Sequence, residues 1–221
     1  MDAMHPDNVR RLLLVWHSRT GLAEQLADAL EEGARSAAAE MLDVTDDRNA
    51  VARFELQRVS ASAATLHDLL EADAYAFVAP ENLASLSGAM LEFFHAHYYH
   101  VFASDSEGDE VSQLLGRPYA AAIAAGSDGT AAAAQLERIC RGWRLRSVSP
   151  PLVVRNGLTQ TARNVLAPKT LGPDCAVVDA TSGEPVNDAC GTGKVGSARV
   201  SGGVHARCTE LGGLVAAHLL L

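Results

Sequence analysis

The chain has 221 residues, 48% of them hydrophobic and 20% charged, enough to bury a core in one globular domain. Its formal charge is −9, from 18 basic and 27 acidic residues, which argues against nucleic acid as the main partner because phosphate binding needs a basic face. No apolar run approaches the roughly 20 residues that span a bilayer, and the run after Arg10-Arg11 is too short for a signal peptide.

The first element is Leu12-Leu-Leu-Val-Trp-His-Ser-Arg-Thr-Gly-Leu22. A buried strand over 11–17 ends in two hydroxyls and a glycine, and a helix opens at once. Backbone N–H groups at a helix start lack partners and carry partial positive charge. With Ser18, Thr20 and Gly21 beside them, this turn is a cradle for an anion. Leu22, Leu26, Ala29, Leu30 and Gly33 recur at helical spacing to about Ala39, and Glu31 faces Arg35 one turn on. Phe54-Glu-Leu-Gln-Arg-Val59 alternates, as a half-covered edge strand does. A short helix follows over about 64–71, then a strand over 74–79 that Pro80 should stop. Residues 80–88 read as a loop. A third helix carries Leu86, Met90, Phe93, Phe94 and His97 on one face. Residues 103–113 read as an exposed excursion.

Tyr119-Ala-Ala-Ala-Ile-Ala-Ala125 is a fourth buried strand, ending in Gly126-Ser-Asp-Gly129, where Ser127 or Asp128 should cap the next helix. That helix buries Ala132, Leu136, Ile139, Cys140 and Trp143. Pro151 to Arg155 supplies a fifth strand. Residues 156 to about 204 are rich in Gly, Ser, Thr, Pro and Asn and read as a long loop or hairpin, with short strands near 175–179 and 198–200. A final helix carries Cys208, Leu211, Gly212, Val215 and Leu219. The four cysteines are scattered, with no C-x-x-C pair, which points to a reduced, cytoplasmic compartment.

Alternating strands and helices imply an α/β fold, a five-stranded parallel sheet covered on both faces, of order 2-1-3-4-5. The ligand of such a sheet sits at the carboxyl ends of the strands. The turns at 17–22, 80–88 and 125–129 follow strands one, three and four and converge there.

Three pieces resemble the flavodoxin family, in particular its NAD(P)H-dependent FMN oxidoreductases of the quinone-reductase branch. His17-Ser-Arg-Thr-Gly-Leu-Ala23 is similar to the T/S-x-T-G-x-T phosphate loop. Pro80-Glu-Asn-Leu-Ala-Ser-Leu-Ser-Gly-Ala-Met-Leu-Glu-Phe-Phe94 resembles the flavin-ring loop and its helix. Ala124-Ala-Gly-Ser-Asp-Gly129 resembles the third, glycine-containing loop. The resemblance covers about residues 10–156 and implies a flavodoxin-like three-layer sandwich, a single domain over 1–221 with an insertion at about 157–204. It implies that Ser18, Arg19, Thr20, Gly21, Leu22 and Ala23 surround the FMN phosphate. Pro80, Glu81, Asn82 and Leu83 would lie along the isoalloxazine, with Ser87 and Gly88 completing that loop. Gly126, Ser127, Asp128 and Gly129 would close the other side. Ala23 stands where the family has a third hydroxyl, which predicts weaker phosphate binding. Leu86 replaces a frequent Met, and His95-Ala-His-Tyr-Tyr-His100 replaces a stretch that often carries Asp and Arg.

Other signals carry less. His95, His97 and His100 are spaced poorly for one helix face, so no metal site is expected. Gly191-Thr-Gly-Lys-Val-Gly196 matches G-x-G-x-x-G without a strand before it or a helix after it. Trp143 is expected in the core, whereas Tyr98 and Tyr99 are candidates for the cleft rim. The resemblance implies an oxidoreductase with NAD(P)H as reductant and a quinone-like small molecule as acceptor. It also implies homo-oligomers, because relatives of that branch assemble. No catalytic acid or base is readable. Two other readings stand beside it: a flavodoxin-type electron carrier docking on a redox partner protein, which the −9 charge suits, and a flavodoxin-like fold without its cofactor.

Overall fold

The structure is a computed structural model and describes residues 9–44, 53–104, 109–155, 176–179 and 201–220. The chain begins with β1 (Val9–Trp16), α1 (Leu22–Val44), β2 (Arg53–Ser60), α2 (Leu66–Glu71) and β3 (Ala74–Asn82). It continues through β4 (Ser85–Leu86), α3 (Gly88–His97), β5 (Phe102–Ser104), β6 (Glu110–Ser112), β7 (Pro118–Ala125) and α4 (Thr130–Gly142). It ends with β8 (Arg146–Ser147), β9 (Leu152–Arg155), β10 (Ala176–Asp179) and a last helix, α5 (Gly202–Leu220).

The sheet runs β2-β1-β3-β7-β9-β10, with every neighbouring pair on this path parallel. Its first five strands have the expected order 2-1-3-4-5. The sheet is wider than the five strands expected, because β10 lies outside β9, and β4 and β8 add short pairings to β3 and β7. The expected strand near 175–179 is β10; the one near 198–200 and the glycine motif at 191–196 lie outside the described residues.

Composition explains which strands are central. All eight residues of β7 are buried, as are Leu12 to Val15 of β1, as expected of parallel strands covered on both faces. β2 is nowhere fully buried, which fits its alternating sequence and its place at the edge. One face of the sheet is aromatic: Tyr75, Phe77, Phe93, Phe94, Tyr119 and Trp143 pack together there under α3 and α4. The other face is aliphatic and small, with Leu12, Leu14, Ala76, Val78, Ala120 and Ala122 beneath α1 and α5. Those two helices touch backbone to backbone. A Cβ on Gly33 would stand 1.9 Å from the Thr209 carbonyl oxygen, and one on Gly212 would stand 2.0 Å from that of Leu30.

Several local expectations need correction. α1 runs five residues past Ala39, to Val44. Within the expected exposed excursion, β5 and β6 pair antiparallel. β3 does not stop at Pro80 but continues to Asn82. The reason is register. The Val78 carbonyl faces β1 and accepts the His17 N–H at 3.0 Å. Pro80, two residues on, faces the same way, but β1 has already ended, so the missing proline donor interrupts no ladder. The start of α4 also differs: its N-cap is Gly129 at φ +72, with no side-chain cap bond. The Asp128 carboxylate instead accepts from the Thr130 N–H and hydroxyl two residues on.

Candidate functional site

Three loops meet at the carboxyl edge of the sheet, after β1, β3 and β7. The first is 17–21. Gly21 sits at φ +88 immediately before α1, and a Cβ there would meet nothing within 4 Å. The Ser18 hydroxyl accepts the Gly21 N–H at 3.0 Å, which folds the turn back on itself. Arg19 and Thr20 are exposed, whereas Leu22 and Ala23, the first residues of α1, are buried against the sheet. Those last two therefore offer only backbone N–H groups to this edge, the unpartnered first turn of a helix.

The second loop is a tight hairpin. Glu81 pairs with Leu86 and Asn82 with Ser85, leaving Leu83 and Ala84 as a two-residue turn. Both have left-handed φ, +53 and +56, which costs about 1–2 kcal/mol per non-glycine residue. The Gln135 side-chain oxygen holds the turn in place, accepting from the Ser85 hydroxyl at 2.8 Å and the Leu86 N–H at 2.9 Å. Leu83 is fully exposed at the tip.

The third loop is 126–129. Gly129 must be glycine, since its φ is left-handed and a Cβ would stand 2.4 Å from Val153 Cγ1. The Glu81 carboxylate crosses from the second loop to this one. Its two oxygens accept the Ser127 N–H at 2.9 Å and the Ser127 hydroxyl at 2.7 Å. Arg155, at the end of β9, donates from Nε to the Ser127 carbonyl at 3.1 Å. Glu81 is thus spent on clamping two loops, a role the ring-lining assignment did not contain.

His17 links the first two loops: its Nδ1 lies 2.9 Å from the Ser87 hydroxyl. Burial, and next the charge of Arg19, hold the imidazole below its ordinary range of about 6.5. His17, Gln135 and Arg155 were not among the expected site residues. His17 and Arg155 stand at strand ends on the carboxyl edge, a signal already present in the strand assignments. Gln135 is a helix residue whose partner lies 49 residues away, which no local pattern reveals.

Residues 18–23, 80–83, 87–88 and 126–129 are therefore brought to one edge, with Leu22 and Ala23 turned inward. Tyr98 and Tyr99 are not. α3 starts at this edge and runs ten residues away from it, about 15 Å at 1.5 Å per residue. Trp143 is fully buried against Phe93 and Phe94. His97 Nδ1 lies 2.7 Å from the Phe93 carbonyl oxygen. An open cleft of about 640 Å³ lies elsewhere, along β2 between Arg35 and His67, and contains none of the expected site residues. Among the described residues, no helix is long and apolar enough to cross a membrane.

The fold is that of a doubly wound α/β protein, with the loops after β1, β3 and β7 meeting at the carboxyl edge of its sheet, the edge where such sheets carry their ligands. The model of the NADPH-dependent FMN reductase family matches residues 16–158, a span that contains all three loops. The chain belongs to that family and is an FMN-binding NAD(P)H oxidoreductase. A comparison with curated proteins gives no match. Among solved structures, a flavodoxin from the domain Archaea is 14% identical, with 95% of this chain and 98% of that chain covered and a TM-score of 0.55. An oxidoreductase from Corynebacterium diphtheriae is 16% identical, with 96% and 97% covered and a TM-score of 0.54. The flavodoxin, WrbA-like protein from Agrobacterium tumefaciens is 13% identical, with 95% and 99% covered and a TM-score of 0.51. At these identities the likeness shows the fold, which is flavodoxin-like.

Proposed function

We propose that FMN is held at the carboxyl edge by the three loops and that the reduced protein passes its electrons to a quinone-like small molecule. The observation that carries this reading is the convergence of loops 17–21, 80–88 and 126–129 beside an open helix start. Ser18, Thr20 and the first N–H groups of α1, with Gly21 giving close backbone approach, fit a phosphate. Arg19 adds a mobile positive charge at the same rim. Leu83 and the backbone of 80–83 fit the flat ring, and Gly126 to Gly129 close the site from the β7 side. Open space at Gly21, Gly88 and Gly126 leaves room for a ligand.

Bound FMN supplies the two-electron chemistry between NAD(P)H and an acceptor; the protein supplies position and electrostatics. The Glu81 clamp fixes the spacing of two ring-side loops before any ligand arrives. The Leu83 and Ala84 turn keeps apolar surface facing the ring and sheds water from it. We further propose that the chain acts as one domain, with residues 157–204 inserted before α5, and that it works as a homo-oligomer in the cytoplasm. The packing of α5 on α1 supports the single domain, because it completes a helical layer over the same sheet.

The absorption spectrum of the purified protein tests the reading. Flavin bands that bleach on adding NADPH, and return when a quinone is added, are expected. Absence of flavin after reconstitution with FMN overturns the site; bleaching without recovery overturns the acceptor. The net charge of −9 favours a second acceptor, a redox protein with a basic docking face. Electron transfer to such a protein that weakens steeply with salt, alongside no quinone turnover, would select it.

A further inference from the structure

Resting on the FMN site above, we propose that His17 is a positioning residue that bolts the phosphate loop to the ring loop through Ser87. Ser87 is the N-cap of α3, and an N-cap serine ordinarily gives its hydroxyl to its own helix. Here it makes no such bond. Its hydroxyl meets His17 Nδ1 instead, 2.9 Å away and 70 residues earlier in the chain. Ser87 is fully buried, so removing its partner strands a buried hydroxyl.

Both residues are fixed on their own sides. The Ser87 N–H donates to the Pro80 carbonyl at 3.1 Å, and its carbonyl accepts the Leu91 N–H at 3.0 Å. Ser87 therefore closes the hairpin that presents residues 81–86. The His17 N–H donates to the Val78 carbonyl at 3.0 Å. His17 thus makes two grips, by its backbone on Val78 of β3 and by its side chain on Ser87 at the start of α3. Ser18, next in sequence, folds the phosphate loop by accepting the Gly21 N–H. A ligand that touches both loops binds more tightly when their separation is set in advance. A ligand that touches only one gains much less.

FMN and riboflavin separate these cases, since riboflavin lacks the phosphate. Dissociation constants would be measured by flavin fluorescence for wild type, His17→Ala, Ser87→Ala, the double variant and His17→Asn. Each alanine variant should weaken FMN about tenfold, the size of one buried hydrogen bond. The double variant should be no weaker than the worse single. Asn, whose amide can reach where Nδ1 stood, should recover most of the loss, and riboflavin should change far less than FMN. Additive losses, an unchanged FMN constant in His17→Ala, or equal losses for both flavins overturn the proposal. Thermal melting of the flavin-free proteins identifies any variant that fails to fold, in which case Ser87→Ala and His17→Asn carry the test. Wild type that binds no FMN overturns the site reading and this inference with it; wild type that binds FMN with unaltered variants overturns this inference alone.

Discussion

The two edges of the same sheet are built to opposite rules. At the amino edge the protein satisfies itself. Arg117 Nη1 lies within hydrogen-bond range of the carbonyls of Leu69, Leu70 and Ala72 and of the Tyr75 hydroxyl. Asp73 accepts from the Arg11 N–H, and Ser112 donates to the Trp143 carbonyl. At the carboxyl edge the turn at Leu83 and Ala84 is exposed among the described residues, and the first N–H groups of α1 are those a helix start leaves without an intrahelical partner. Side chains there hold loops to one another, as Glu81, Gln135 and His17 do, and leave the inner rim open. An edge whose polar groups are closed by its own side chains stabilises the fold. An edge that spends its side chains on spacing instead sets the distances between its loops.

Substitutions at the two edges should therefore separate stability from affinity. The largest effect is expected for Gly129→Ala at the carboxyl edge. A Cβ there overlaps Val153 and Ala125 and needs left-handed φ, so urea denaturation should show a loss of about 3 kcal/mol. FMN affinity should fall with it, because the third loop must move. Arg117→Gln at the amino edge comes next, with a loss of about 2 kcal/mol as carbonyls lose their donor. Its FMN dissociation constant, measured well below the melting point, should not change. A tenfold change there would mean the two edges are coupled.

Gly21→Ala is the converse case. Its Cβ meets nothing, so stability should fall by only about 1–2 kcal/mol of backbone strain. The added methyl intrudes on the proposed phosphate cradle, so FMN should bind at least about tenfold more weakly, or the phosphate lies elsewhere. The smallest effect is on pH. The folded-state pKa of His17 is depressed, so the unfolded chain binds more protons between that value and about 6.5. Stability should fall as pH drops through 6.5 and level off below the folded value. Melting temperatures from pH 7.5 to 5 should lose this component in His17→Gln.

The strand–helix alternation made the sheet order readable, because buried parallel strands such as Leu12 to Val15 are continuous apolar runs. The three ligand-edge loops were readable for the same reason: each follows such a run. What escaped was whatever depends on register. Pro80 reads locally as a strand stop, yet it lies where β1 has ended and its missing donor is harmless. Glu81 reads locally as one residue of the second loop, and no local pattern shows that its carboxylate closes on Ser127 across 46 residues. The match of family and fold supports the FMN reductase assignment made from the loops. Ala23 illustrates the point. The sequence marks it as a missing hydroxyl, whereas the structure buries it on the inner face of α1 at 1% exposure. Ala23→Thr must fit its methyl into that core before its hydroxyl can help.

The glycine contact between α1 and α5 also bears on how the protein is made. Gly33 and Gly212 let two helices lie against each other's backbone, so α1 is half of a pair whose other half is translated roughly 160 residues later. At about 5–20 residues per second, that interval is on the order of ten seconds. During it, the aliphatic face of the nascent sheet is covered by α1 alone. The helix that follows the first ligand-edge turn is therefore locked in place by a segment that leaves the ribosome well after it, and flavin loading should follow synthesis of α5.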